Sequence, residues 1–354
     1  MNRYRVIFTS LALLFSSLAC RFAERIVFGE PMPVPTATIA PSPTNSPVPT
    51  EGPSPTPSPT ITRTPVPQQP VGAACQPNDL NCIYACFDRL ALVLPKEDVP
   101  PLPGIYGESD ATMKLVRYRI DGNQIVEPDT LWVPKDFIPY QQNTLAHERI
   151  WNYFAYLVPA ENRTMLVKYL VSMRGGGYKY AAYVTATNDT SSQWEMNVNL
   201  LDASDSYDMT VVLVHEYGHL ITLNDTQVDA EETNCQSLLT GDGCTRPKSY
   251  IDAFYRQFWK DIYPEWAKIE EESDPDTHDA LLKDFYDKYQ TRFVSEYAAS
   301  DPVEDMAESW TSFVLFSGSS HDDLARQKVA FFKQYPELVA LRQTLLDNLC
   351  SYQP

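Results

Sequence analysis

The chain has 354 residues, 44% of them hydrophobic, which is enough for one large domain or two small ones with a substantial core. Its formal net charge is −18. Such a surface repels nucleic acid and anionic lipid, and no basic patch interrupts it, so no nucleic-acid partner is expected.

The first nineteen residues, MNRYRVIFTSLALLFSSLA, set Arg3 and Arg5 ahead of an apolar stretch and end on small residues, the layout of a secretory signal peptide. The stretch is too short to span a bilayer comfortably, and its removal takes the net charge to about −20. Cys20 follows at once in SSLAC. This resembles a bacterial lipoprotein signal, which implies a lipid on Cys20 and an anchor on the outer face of the cell membrane. Ser17 stands where such signals carry an aliphatic residue, and the alternative is ordinary cleavage after Ala19 with plain secretion. Residues 20–70 form a stalk. From Pro31 to Pro70 proline, serine and threonine dominate, too few apolar groups are present to fold, and polyproline II at about 3.1 Å per residue reaches roughly 120 Å.

The folded domain is expected over residues 71–354. Setting Cys20 aside leaves six of the seven cysteines, an even number that in an exported chain suits three disulfides. Cys82 and Cys86 lie four apart in the helical pattern NDLNCIYACFDRLALVL. On a helix such Cβ atoms are about 5–6 Å apart, too far for a disulfide. Each is therefore expected to bond elsewhere, Cys75 taking one and Cys350 the other, while Cys235 and Cys244 close the loop CQSLLTGDGC.

Mixed structure comes next. TMKLVRYRIDGNQIVEP alternates about a turn at Asp121-Gly122-Asn123, TMLVKYLVSM and YKYAAYVTAT flank Gly175 to Gly177, and QWEMNVNLL follows. His147 in LAHERIW sits among polar residues, as do His278 in DPDTHDA and His321 in SGSSHDD, and all three read as solvated or capping.

Thr210 to Asp225, TVVLVHEYGHLITLND, predicts a buried helix capped by Asp205, Ser206 or Asp208. His215 and His219 stand one turn apart on it, so both imidazoles can reach one ion, with Glu216 beside them. This is H-E-x-x-H, in which two neutral histidines bind zinc and the glutamate takes a proton from water. The helices that follow are YIDAFYRQFWKDIY, HDALLKDFYDKYQTRFV, PVEDMAESWTSFVLF, DDLARQKVAFFKQY and PELVALRQTLLDNL.

A catalytic zinc needs a third protein ligand. Asp225 lies ten residues after His215, the metzincin offset, but Thr222 occupies the position where that pattern has glycine. Glu304 is the better candidate. Asp301 and Pro302 start a helix on which Glu304 and Glu308 share a face. With Tyr297 seven residues ahead of Glu304, the segment SEYAASDPVEDMAESW and the HEYGH helix resemble the gluzincin-type zinc metallopeptidases, in particular the anthrax-lethal-factor-like branch.

The resemblance covers these two segments only. It implies an α+β, zincin-like fold, with a mixed strand and helix N-terminal lobe, a helical C-terminal lobe and a cleft between. It implies one Zn2+ per chain on His215, His219 and Glu304, with Glu308 orienting His215. It implies Glu216 as general base and Tyr297 as hydrogen-bond donor to the oxyanion, in an endopeptidase acting on peptide or protein. By analogy with zincins, substrate is expected along an edge strand, for which QWEMNVNL is the candidate. There Trp194 is either a pocket residue or, as the commoner reading, part of the core. A non-catalytic binding module on the same fold and a zinc amidase of cell-wall crosslinks are the alternatives. The oligomeric state is not legible.

Overall fold

A computed structural model describes Cys75 and residues 79–89, 112–174, 181–232, 234–316 and 323–353. The signal segment, Cys20, the stalk, Gly175 to Gly177 and His321 lie outside the described residues. The described part is mixed α+β, and no helix in it is long and apolar enough to cross a membrane.

Helix α1 (Leu80–Arg89) is followed by the hairpin of β1 (Thr112–Asp121) and β2 (Gln124–Thr130), which pair Asp121 with Gln124 across the predicted turn. Gly122 takes φ 58° there, a left-handed conformation that glycine adopts without a Cβ clash. Helix α2 (Thr144–Leu157) leads to β3 (Leu166–Arg174), β4 (Ala182–Ala186) and β5 (Trp194–Asn199). The five strands form one sheet in the order β2-β1-β3-β5-β4, with β3 and β5 parallel and the other pairs antiparallel.

This order corrects one expectation. QWEMNVNL supplies β5, which is flanked on both sides and buried along its whole length, so it cannot accept a further strand. The edge is β4. Trp194 is in the core, its indole N–H donating to the Ser191 carbonyl.

The long helix α3 (Ser206–Leu223) packs beside β4. After it come the short strands β6 (Val228–Asp229), β7 (Leu239–Thr240) and β8 (Gly243–Thr245), and then helices only: α4 (Tyr250–Phe258), α5 (Tyr263–Ile269), α6 (Pro275–Tyr289), α7 (Pro302–Thr311), α8 (Leu324–Phe331) and α9 (Pro336–Ser351). Trp151, Trp194, Trp259 and Trp310 are fully buried, so the core runs continuously from the sheet into the helices. Disulfides join Cys75 to Cys82, Cys86 to Cys350 and Cys235 to Cys244. The first two resolve the open choice among four cysteines, and Cys86–Cys350 ties α1 to the last helix.

Two expected solvated histidines are buried. His147 is wholly enclosed between the Tyr118 hydroxyl at Nδ1, 2.8 Å, and the Tyr140 carbonyl at Nε2, 2.9 Å. His278 is enclosed against Glu270, 3.1 Å from Nε2. Their sequence neighbours are polar, but burial on a helix is decided by residues three and four away and by the packed partner.

Candidate metal centre

The site is built where α3 meets α7. Asp205 caps α3, its Oδ1 accepting from the amides of Tyr207 and Asp208 at 3.0 and 3.1 Å. From Leu213 to Leu223 every residue of the helix is buried, which suits its apolar composition. Gly218 faces α7, and a Cβ there would come 3.0 Å from Trp310 Cδ1 and 3.3 Å from Ala307 Cα. Its missing side chain is what allows the two helices to approach so closely. Asp301 caps α7 by accepting from the Val303 amide at 2.6 Å, and Pro302 follows at the first turn.

Close approach brings His215, His219 and Glu304 together. Their Nε2, Nε2 and Oε2 atoms form a triangle of 3.1 Å between the two histidines, 3.1 Å from His215 to Glu304 and 3.3 Å from His219 to Glu304. A metal bonded tetrahedrally to nitrogen and oxygen at about 2.0–2.1 Å places its ligand atoms about 3.3 Å apart. The triangle therefore fits such an ion, and these three residues form a group able to hold one.

The donors also call for positive charge between them. His215 Nδ1 is 2.8 Å from Glu308 Oε1 and donates its hydrogen there, which leaves a lone pair on Nε2. That lone pair faces the Glu304 carboxylate at 3.1 Å, so two acceptors meet there unless a proton or a metal lies between them. Among the described residues no lysine or arginine pairs with Glu216, Glu304 or Glu308.

The titration shifts carry the same message. Burial opposes charge on His215, yet hydrogen bonds to Glu304 and Glu308 raise its pKa well above the ordinary value. His219 is raised against burial by the charge of Glu304. Burial likewise opposes ionisation of Glu304, but the charge of His219 and hydrogen bonds from both rings hold it well below the usual carboxylate range. A proton can play the cation, and so can a metal.

Glu216 makes its hydrogen bond toward the sheet. Its Oε2 accepts from the Val184 amide on β4 at 2.9 Å. Burial pushes its carboxyl up to about 7, against the charges of His219 and His215. Tyr297 is buried in a turn before α7, its ring 5.9 Å from that of His215, and its hydroxyl bonds to Glu304. Burial, then the charge of Glu304, raise its pKa, so the phenol stays a donor.

His215, Glu216, His219, Tyr297, Glu304 and Glu308 thus lie in one cluster, whereas Asp225, the weaker ligand candidate, is exposed and offers its carbonyl to Arg246. Sequence reasoning missed three neighbours. Ser295 donates from Oγ to Glu308 Oε2 at 2.7 Å while accepting from the Ala298 amide at 3.0 Å, so it orients the acid that orients His215. Asp242, in the hairpin closed by Cys235–Cys244, is pushed up to about 6 by burial and feels the charge of His219. Val184 was in a strand already recognised, but only the sheet order reveals that it faces the site. Comparison with family models, with curated proteins and with solved structures finds no match.

Proposed function

We propose that the chain is a zinc-dependent endopeptidase with a zincin-like, gluzincin-type centre, exported and held at the cell surface by a lipid on Cys20 and the proline-rich stalk. One observation carries this reading. Three donor atoms drawn from helices α3 and α7 converge with tetrahedral spacing, and no lysine or arginine among the described residues pairs with the acids there.

Zinc held by His215, His219 and Glu304 supplies a Lewis acid and lowers the pKa of water. Glu308, braced by Ser295, fixes the His215 tautomer so that Nε2 faces the ion. Glu216 takes the proton of the attacking water and returns it to the departing amine. Burial raises the proton affinity of its carboxyl, the direction a general base needs. Tyr297 donates its phenolic hydrogen to the oxyanion.

Substrate binds along β4. The Ala181 carbonyl accepts from Asn199 and the Thr187 amide donates to the Gln193 carbonyl, so odd-numbered residues face β5. The backbone groups of Ala182, Val184 and Ala186 then point outward, as the Val184 amide does toward Glu216. A peptide added to that edge lies beside the general base.

The test is a mixed peptide library incubated with the purified protein, with and without chelator, and with zinc restored. Chelator-sensitive cleavage of peptides is expected. Absence of any such cleavage points to a binding module, and cleavage of wall fragments alone points to an amidase.

A further inference from the structure

Behind the metal-facing side of α7 lies a second buried polar cluster. Asp305, the residue after Glu304, is wholly enclosed, and so is Lys328 on α8. The two form an ion pair at 2.5 Å. Asp305 Oδ2 also accepts from Trp259 Nε1 at 2.7 Å, and the Lys328 ammonium sits 4.1 Å from the centroid of Phe293, with the Trp259 ring 5.8 Å away. Three separate elements, α4 with the residue after it, α7 and α8, thus meet at one carboxylate.

We propose that Lys328 is a positioning residue for the metal ligand Glu304, pinning the rotation of α7 through Asp305. The proposal rests on the metal reading above. Adjacent residues on a helix are separated by about 100°, and a side-chain tip lies about 5–6 Å from the axis, so rolling α7 by ten degrees moves the Glu304 carboxylate by about 1 Å. A metal site tolerates about 0.2 Å. Ala307 and Trp310, packed against Gly218, set how closely α7 approaches α3, while hydrophobic burial itself adds no directional preference. A carboxylate held at once by an ammonium and an indole N–H has one low-energy placement. Buried ion pairs often add no stability over apolar replacements, so geometric fixing is a role that stability alone does not reveal.

The test is zinc affinity of the whole chain by competition with a chromogenic chelator, alongside thermal unfolding in excess chelator and the visible spectrum of the cobalt-loaded protein. In the paired replacement Asp305→Leu with Lys328→Met, zinc affinity is expected to fall roughly tenfold or more, the range typical of outer-sphere partners. The cobalt bands are expected to shift while the unfolding midpoint in chelator holds. Trp259→Phe removes the indole donor alone, and a smaller, three- to tenfold loss is expected. Wild-type affinity and an unchanged cobalt spectrum in a folded paired variant overturn the proposal, and if that variant does not fold, wild-type affinity in Trp259→Phe does so. Failure of the wild-type chain to bind zinc instead overturns the metal reading itself.

Discussion

Helix α7 carries two acidic faces, and both are turned into the protein. On one, Asp305 meets Lys328 and Trp259, so its charge is neutralised and its oxygens are occupied by groups of the chain. On the other, Glu308 is held by His215 and Ser295, while Glu304 meets two imidazole nitrogens and no lysine or arginine among the described residues. His219 Nδ1 is buried there without a partner. The difference teaches how to separate a structural acid from a ligand acid in the same turn: the former arrives with its own cation, the latter leaves a cation to be recruited from outside.

The most severe challenge to this contrast is Glu216→Gln. Glutamine preserves shape and the approach to the Val184 amide but cannot accept a proton, so turnover should fall by about 10³-fold or more with zinc content unchanged, measured as kcat on the best library peptide beside elemental analysis. Substantial residual hydrolysis would remove the general base from the scheme.

The second challenge compares truncations on the two faces in chelated protein. Asp305→Ala strands a buried ammonium and should cost about 3–5 kcal/mol in denaturant unfolding. Glu304→Ala leaves two imidazoles that can give up their extra proton, so the metal-free stability should fall by less than in Asp305→Ala. Equal losses would mean that both faces are structural.

His147 sharpens the comparison because it is a buried histidine with both nitrogens satisfied. Burial lowers its pKa to about 4. Below about pH 6.5 the unfolded chain takes up a proton that the folded chain refuses, so stability from this group is full above pH 6.5 and falls as pH drops toward 4. The loss should total about 3 kcal/mol. It is read as the difference in pH dependence of unfolding between wild type and His147→Gln, and an identical slope in the two would contradict it.

A smaller effect is expected at Glu308→Gln. The amide keeps a hydrogen bond to His215 but loses the charge, so zinc affinity should weaken by roughly 10- to 100-fold with the fold intact. Ser295→Ala, one bond further out, should show less.

Much of the site was legible because helices preserve local spacing. His215 and His219, and Glu304 and Glu308, are one turn apart in both sequence and space, and the cap at Asp301 with Pro302 marked where the second helix starts. The sheet was less legible. Strand order is a long-range property, and nothing local in QWEMNVNL says that β4 lies outside it. Lys328 was missed for a related reason: a lysine in DDLARQKVAFF reads as solvated until α7 supplies the buried carboxylate. The cysteine spacing ruled out a Cys82–Cys86 bond but could not say which of the two takes Cys75.

The central claim is that the converging face of α7 is completed by one divalent ion. Calorimetric titration of the purified, chelator-stripped chain with Zn2+ tests it most directly. One site per chain, abolished in Glu304→Ala and retained in Glu216→Gln, is the expected result; no saturable binding, or binding that survives loss of Glu304 undiminished, would contradict it.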